Sequence, residues 1–115
     1  MKHKYMAATD NILPPSLGTE LKINVTAELG NDLHLADVDF VCTFYSNNPL
    51  GRSVTIQKQK LLQQDDDNYI AVLNTSDIGT GEYWLKLTAY LPDTDFEDRL
   101  RTEIVRVPTG IRVIR

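Results

Sequence analysis

The side chains in this 115-residue chain whose types could do chemistry are His3, His34, Cys42 and two runs of acids, Asp65-Asp66-Asp67 and Asp93-Thr94-Asp95-Phe96-Glu97-Asp98. A general base needs a nucleophile or an orienting partner within reach, and neither histidine has a second histidine or the cysteine at a working spacing. One cysteine and two distant histidines also fall short of the four ligands of a zinc site. No glycine loop of the phosphate-cradling type occurs. The expectation is a protein that is not an enzyme and holds no catalytic residue, metal or cofactor. The acidic runs come nearest to a site, because calcium takes six to eight oxygens. Asp93 to Asp98 lacks the glycine turn and the distant glutamate of an EF-hand, however, and solvated aspartates are the usual content of turns between strands. Cys42 has no partner for an internal disulfide and reads as a small buried apolar side chain.

Two further constellations concern binding. From Arg99 onward, Arg99, Arg101, Arg106, Arg112 and Arg115 face a single acid, Glu103. This makes a basic edge, with Arg99, Arg101 and Arg112 as candidates to dock an acidic neighbour, to pair with the chain's own acidic loops, or to keep an edge strand from aggregating. The second constellation is aromatic. Trp84 and Tyr90 alternate with core residues, as do Val41 and Tyr45, so two neighbouring strands would carry these four side chains on one outward face. Such a face suits a protein partner or self-association. A competing reading has the amino-terminal segment, with Tyr5 and Ile12-Leu13, folded over it.

Period-two alternation supplies the strands that position these residues. Leu21, Ile23, Val25, Ala27 and Leu29 share one side of a segment, and Val38, Phe40, Cys42 and Phe44 do the same in the next. Val54 to about Lys60, Tyr69 to Leu73, Tyr83 to Leu91, Arg99 to Val107 and Ile111 to Ile114 follow, separated by Gly, Pro, Asn and Asp turns. No helical period holds for three turns. About seven short antiparallel strands in a chain of this length point to an all-β, immunoglobulin-like β-sandwich over residues 21–115, preceded by a partly ordered segment 1–20. The composition, 42% hydrophobic and 24% charged with a net charge of -4, is that of a globular chain and disfavours bulk nucleic-acid binding. No apolar run approaches a membrane span, and Met1 to Asp10 has positive charge without the apolar stretch of a secretory leader. The expected location is the cytoplasm at synthesis.

Asp77-Ile78-Gly79-Thr80-Gly81-Glu82-Tyr83-Trp84-Leu85 resembles the corner between the E and F strands of immunoglobulin domains. There a tyrosine two positions before a core residue packs beneath the turn and its hydroxyl bonds back to the backbone. Leu85 stands where antibody domains have cysteine, and Gly81 is an extra glycine. More widely, Asp37-Val38-Asp39-Phe40, this corner, Leu91 to Glu103 and Thr109-Gly110-Ile111 resemble small immunoglobulin-like proteins encoded by phages and prophages of gut bacteria. They resemble more distantly the amino-terminal domain of phage upper baseplate proteins. The resemblance implies a virion structural or tail-associated role exercised through assembly contacts. The leading expectation is therefore a structural or adaptor module. The alternative is a carbohydrate-binding or adhesive module that stacks its exposed aromatics on sugars.

Overall fold

The computed structural model describes residues 3–9, 13–30, 32–93, 95 and 99–115. Where the side chains alternate most cleanly, the backbone is extended. In β2 (Glu20–Glu28), Leu21, Ile23, Val25 and Ala27 are buried while Glu20, Lys22 and Glu28 face water. In β3 (Asp39–Ser46), Phe40, Cys42 and Phe44 are fully buried, and in β7 (Gly81–Pro92) Tyr83, Leu85, Leu87, Ala89 and Leu91 are. The remaining strands are β1 (Lys4–Ala8), β4 (Ser53–Gln57), β5 (Leu62–Gln63), β6 (Asn68–Asn74) and β8 (Leu100–Val113).

They form two four-stranded antiparallel sheets, ordered β1-β2-β6-β5 and β4-β3-β7-β8. This is the immunoglobulin arrangement, an ABED sheet facing a CFG sheet with one added strand beside C. The inner faces interlock, and Phe40 meets Tyr69 edge to face across them at 5.2 Å. Cys42 lies in this core opposite Ile56 and Leu87, and burial pushes its thiol up to about 12.

The E to F corner has the expected construction. The Tyr83 ring is buried and its hydroxyl donates to the Gly79 carbonyl, with the Thr75 carbonyl at 3.2 Å. Burial moves the Tyr83 phenol from its ordinary 10.0 to about 12. Tyr5 and Tyr69 also move up, mainly by burial and secondarily from nearby carboxylates. In an unfolded chain tyrosine loses its proton near pH 10, so above that pH the folded state binds more protons than the unfolded one. This contribution to stability is present below pH 10 and lost as the pH rises through the folded values. Thermal denaturation is expected to show Tm falling between about pH 10 and 12, with tyrosinate absorbance from these rings appearing together with unfolding.

Three boundaries differ from the sequence reading. Lys4–Ala8 pairs with β2, Lys4 opposite Glu28 and Ala8 opposite Asn24, so the sheet begins well before residue 21. Tyr5 and Ala7 point inward from this strand, but two alternating positions beside His3 and Lys4 are too few to stand out as a period. Leu62–Gln63 is a strand of only two residues, hidden at the start of a polar run. The strand expected from Val54 to about Lys60 stops at Gln57, where the chain turns and Lys58 Nζ donates to the carbonyls of Ala36 (2.8 Å) and Val38 (2.6 Å).

The two last expected strands are one. β8 passes through Pro108-Thr109-Gly110 as a bulge: Trp84 pairs with Pro108 and Glu82 with Arg112. Gly110 takes φ +72, and Thr109 Oγ1 donates to the Tyr83 carbonyl at 2.8 Å, tying the bulge to β7. Beyond it, Leu17 N donates to the Ile114 carbonyl and Ile114 N to the Pro15 carbonyl, around a parallel bridge at Ser16.

Candidate functional site

The outer face of the β4-β3-β7-β8 sheet is built in rows by strand register. One row runs Ser53, Tyr45, Trp84, Pro108; the next Thr55, Thr43, Lys86, Arg106; the third Gln57, Val41, Thr88, Ile104; the fourth Asp39, Tyr90, Thr102. All four aromatic and apolar candidates, Trp84, Tyr90, Tyr45 and Val41, therefore stand on one side of one sheet, each partly buried by its neighbours. They are not a single cluster. Tyr45 and Trp84 are direct cross-strand partners, whereas Tyr90 stands about 20 Å along β7 from Trp84 at the usual strand rise. Ile104, 51% exposed, and Leu100, 43% exposed, extend the apolar surface along β8. A shallow depression lined by Tyr45, Asn47, Trp84 and Arg106 opens at the aromatic end.

The described part of the amino-terminal segment is not a lid on this face. Tyr5 lies in the opposite sheet beside Ala27, Leu13 is 78% exposed, and Ile12 lies outside the described residues.

The basic edge does not assemble as one surface. Arg101 alternates onto the inner side of β8 and is paired with Asp93 at 3.4 Å and Glu103 at 3.6 Å. Glu103 in turn meets His3 Nδ1 at 3.0 Å. Charges pointing inward beside an edge strand hinder pairing with a further strand. Beside them the buried Tyr5 hydroxyl makes no hydrogen bond of good geometry with a described residue. Arg99 sits in the β7 to β8 turn with φ +60, its carbonyl accepting from Asp93 N at 2.9 Å. Arg112 is outward, opposite Glu82. Arg106, outside the three candidates, is the arginine that joins the aromatic rows, and Lys86 is its cross-strand neighbour. Sequence alternation places Lys86 outward, but only the length of the β7 to β8 turn sets which arginine lies opposite it.

The first acidic loop is held by its own hydrogen bonds. Asp65 accepts from Asp67 N at 2.9 Å and from Asn68 Nδ2 at 2.7 Å, and these bonds hold its carboxyl below the usual range. Asp67 accepts from Leu35 N at 3.2 Å and meets His34 Nδ1 at the same distance, a contact that raises the imidazole pKa. In the second loop Thr94, Phe96, Glu97 and Asp98 lie outside the described residues. Among the described residues no group of three or more histidine, cysteine or acidic side chains is arranged to hold a metal ion, and no helix is long and apolar enough to cross a membrane. No protein-family model matches the chain, and a search of the curated proteins finds no match.

Proposed function

We propose that this domain is a non-catalytic binding module, a structural or adaptor protein that docks a protein partner on the outer face of the β4-β3-β7-β8 sheet. The observation that carries the reading is the register-matched row Tyr45, Trp84, Pro108, continued by Val41, Ile104 and Tyr90. Flat aromatic side chains on a rigid sheet bury large area at little conformational cost, and tryptophan and tyrosine are enriched among the residues that anchor protein interfaces. The resemblance to phage and prophage structural proteins makes a virion or tail assembly the natural setting.

A sugar-binding module would use the same rings, with carboxylates beside them to accept hydroxyl protons. Here the row next to Tyr45 and Trp84 holds Lys86 and Arg106, which favours the protein partner over a neutral glycan.

The test is selection of displayed random peptides on the native chain, with each hit remeasured on Trp84→Ala and the mass of both proteins followed by light scattering over a dilution series. Loss of a tryptophan anchor costs about 2 kcal/mol or more, so binding is expected to weaken about thirtyfold while Tm stays close to native. If Trp84→Ala changes no peptide affinity and no mass, this face is not the docking surface.

A further inference from the structure

Lys86 and Arg106 are directly opposed on β7 and β8, both on the outer face. Like charges in that relation repel and weaken a sheet. Their surroundings offer no relief. The rows on either side contain Tyr45, Trp84 and Pro108, then Val41, Thr88 and Ile104, and within their own row the Thr43 and Thr55 hydroxyls bond each other at 3.1 Å. Neither cation forms an ion pair with a described residue. Some other cations of the chain do have partners: Arg101 has Asp93 and Glu103, and Lys58 has two carbonyls. With 16 acidic residues against 12 lysines and arginines, carboxylates are in surplus, yet no described carboxylate is paired with either of these two cations.

Resting on the docking reading above, we infer that the partner presents an acidic polypeptide segment, with closely spaced carboxylates set over Lys86 and Arg106 and an apolar or aromatic side chain against Trp84 and Tyr45. A covered face would strip water from both cations, and that is tolerable only if counter-charges arrive with the partner. Two copies meeting face to face about a twofold axis through this row would set cations against cations, so the complementary surface is a different one. A nucleic acid fits poorly, because its evenly spaced phosphates need a wide basic tract whereas this pair is bounded by apolar rows on a chain of net charge -4.

The experiment uses the intact chain and the peptides selected by their dependence on Trp84. They are expected to be rich in Asp and Glu. Their affinity should fall about tenfold or more on Lys86→Gln/Arg106→Gln, and by a similar factor for the native chain when NaCl is raised to about 0.5 M, where screening acts within a few Å. The Gln and Asn analogues of the same peptides should bind correspondingly weakly. The double variant removes a repulsion, so its Tm should equal or exceed the native value; if it folds poorly, Arg106→Gln alone on the edge strand gives the same readout. Trp84-dependent peptides that are neutral, or indifferent to both substitutions, overturn the acidic partner and leave the docking face standing. A heparin fragment that displaces the peptides and binds more tightly also overturns it, in favour of an anionic polymer. Absence of any Trp84-dependent peptide removes the docking reading itself.

Discussion

Gly81→Ala is expected to destabilise the domain by about 3 kcal/mol or more, a large part of the 5 to 15 kcal/mol that holds a typical domain folded. Gly81 has φ +120, a conformation that residues with a side chain rarely adopt. A Cβ there would also overlap Ser46 Oγ and lie 2.7 Å from Asn47 Oδ1. Neither neighbour is free to withdraw. Ser46 Oγ donates to the Thr80 carbonyl at 2.6 Å and accepts from Asn48 N at 3.0 Å, while Asn47 Oδ1 accepts from Glu82 N at 2.9 Å. Room for the methyl group therefore comes only by undoing the contact between the β3 terminus and the E to F corner. Urea denaturation checks this, with a midpoint that drops while the slope is unchanged. Gly18→Ala is the comparison: its φ is +92 but nothing lies within 4 Å of the new Cβ, so it isolates the backbone component. Equal effects of the two substitutions would show that the crowding at Gly81 is unimportant.

Thr75→Val should cost about 2 to 4 kcal/mol although it preserves shape and burial. Thr75 is fully buried, and its hydroxyl accepts from Gly18 N (2.8 Å) and Thr19 N (3.0 Å) while its proton can go to the Ser16 or Thr19 carbonyl, at 3.1 and 3.0 Å. Valine leaves both amides facing a methyl group, and donors in these part-buried bonds are only partly rehydrated once the hydroxyl is gone. Denaturation gives the free energy, and amide exchange should speed up at Gly18 and Thr19 in particular. Thr75→Ser, which keeps the oxygen, should recover most of the loss. A Thr75→Val protein as stable as the native one would mean that water already satisfies those amides.

The elements legible in the sequence were those whose alternation is long enough to be unambiguous. β2, β3 and β7 carry four, three and five inward apolar residues, and the glycines before Tyr83 mark its corner. β1 and β5 were not legible, because their stability comes from a neighbouring strand and not from their own pattern. In the sequence the bulge looks like a chain break, because Pro108 and Gly110 are turn residues in isolation. In the structure the proline needs no donor on an edge strand, and the glycine supplies the bulge. The extra Gly81, which appeared as a departure from the immunoglobulin corner, is the position where Ser46 and Asn47 enter it. Of the site, the outward aromatic face followed from alternation within β3 and β7. The Lys86 and Arg106 pair did not, because β8 register depends on a turn whose length sequence periodicity leaves open.

The joining of Leu17 to Ile114 and of His3 to Glu103 has a consequence for how the chain comes into being. His3 and Glu103 are 100 residues apart in sequence, so this contact forms only after Glu103 has been synthesised. Contacts of such long range slow folding, since chain entropy is surrendered before they form. β1 and β2 can pair early on the emerging chain, but the contacts of β1 with β8 wait until β8 leaves the ribosome. Nascent chains truncated before Glu103 would thus expose an unfinished sheet edge, a state in which chaperones or a neighbouring copy compete for the missing strand.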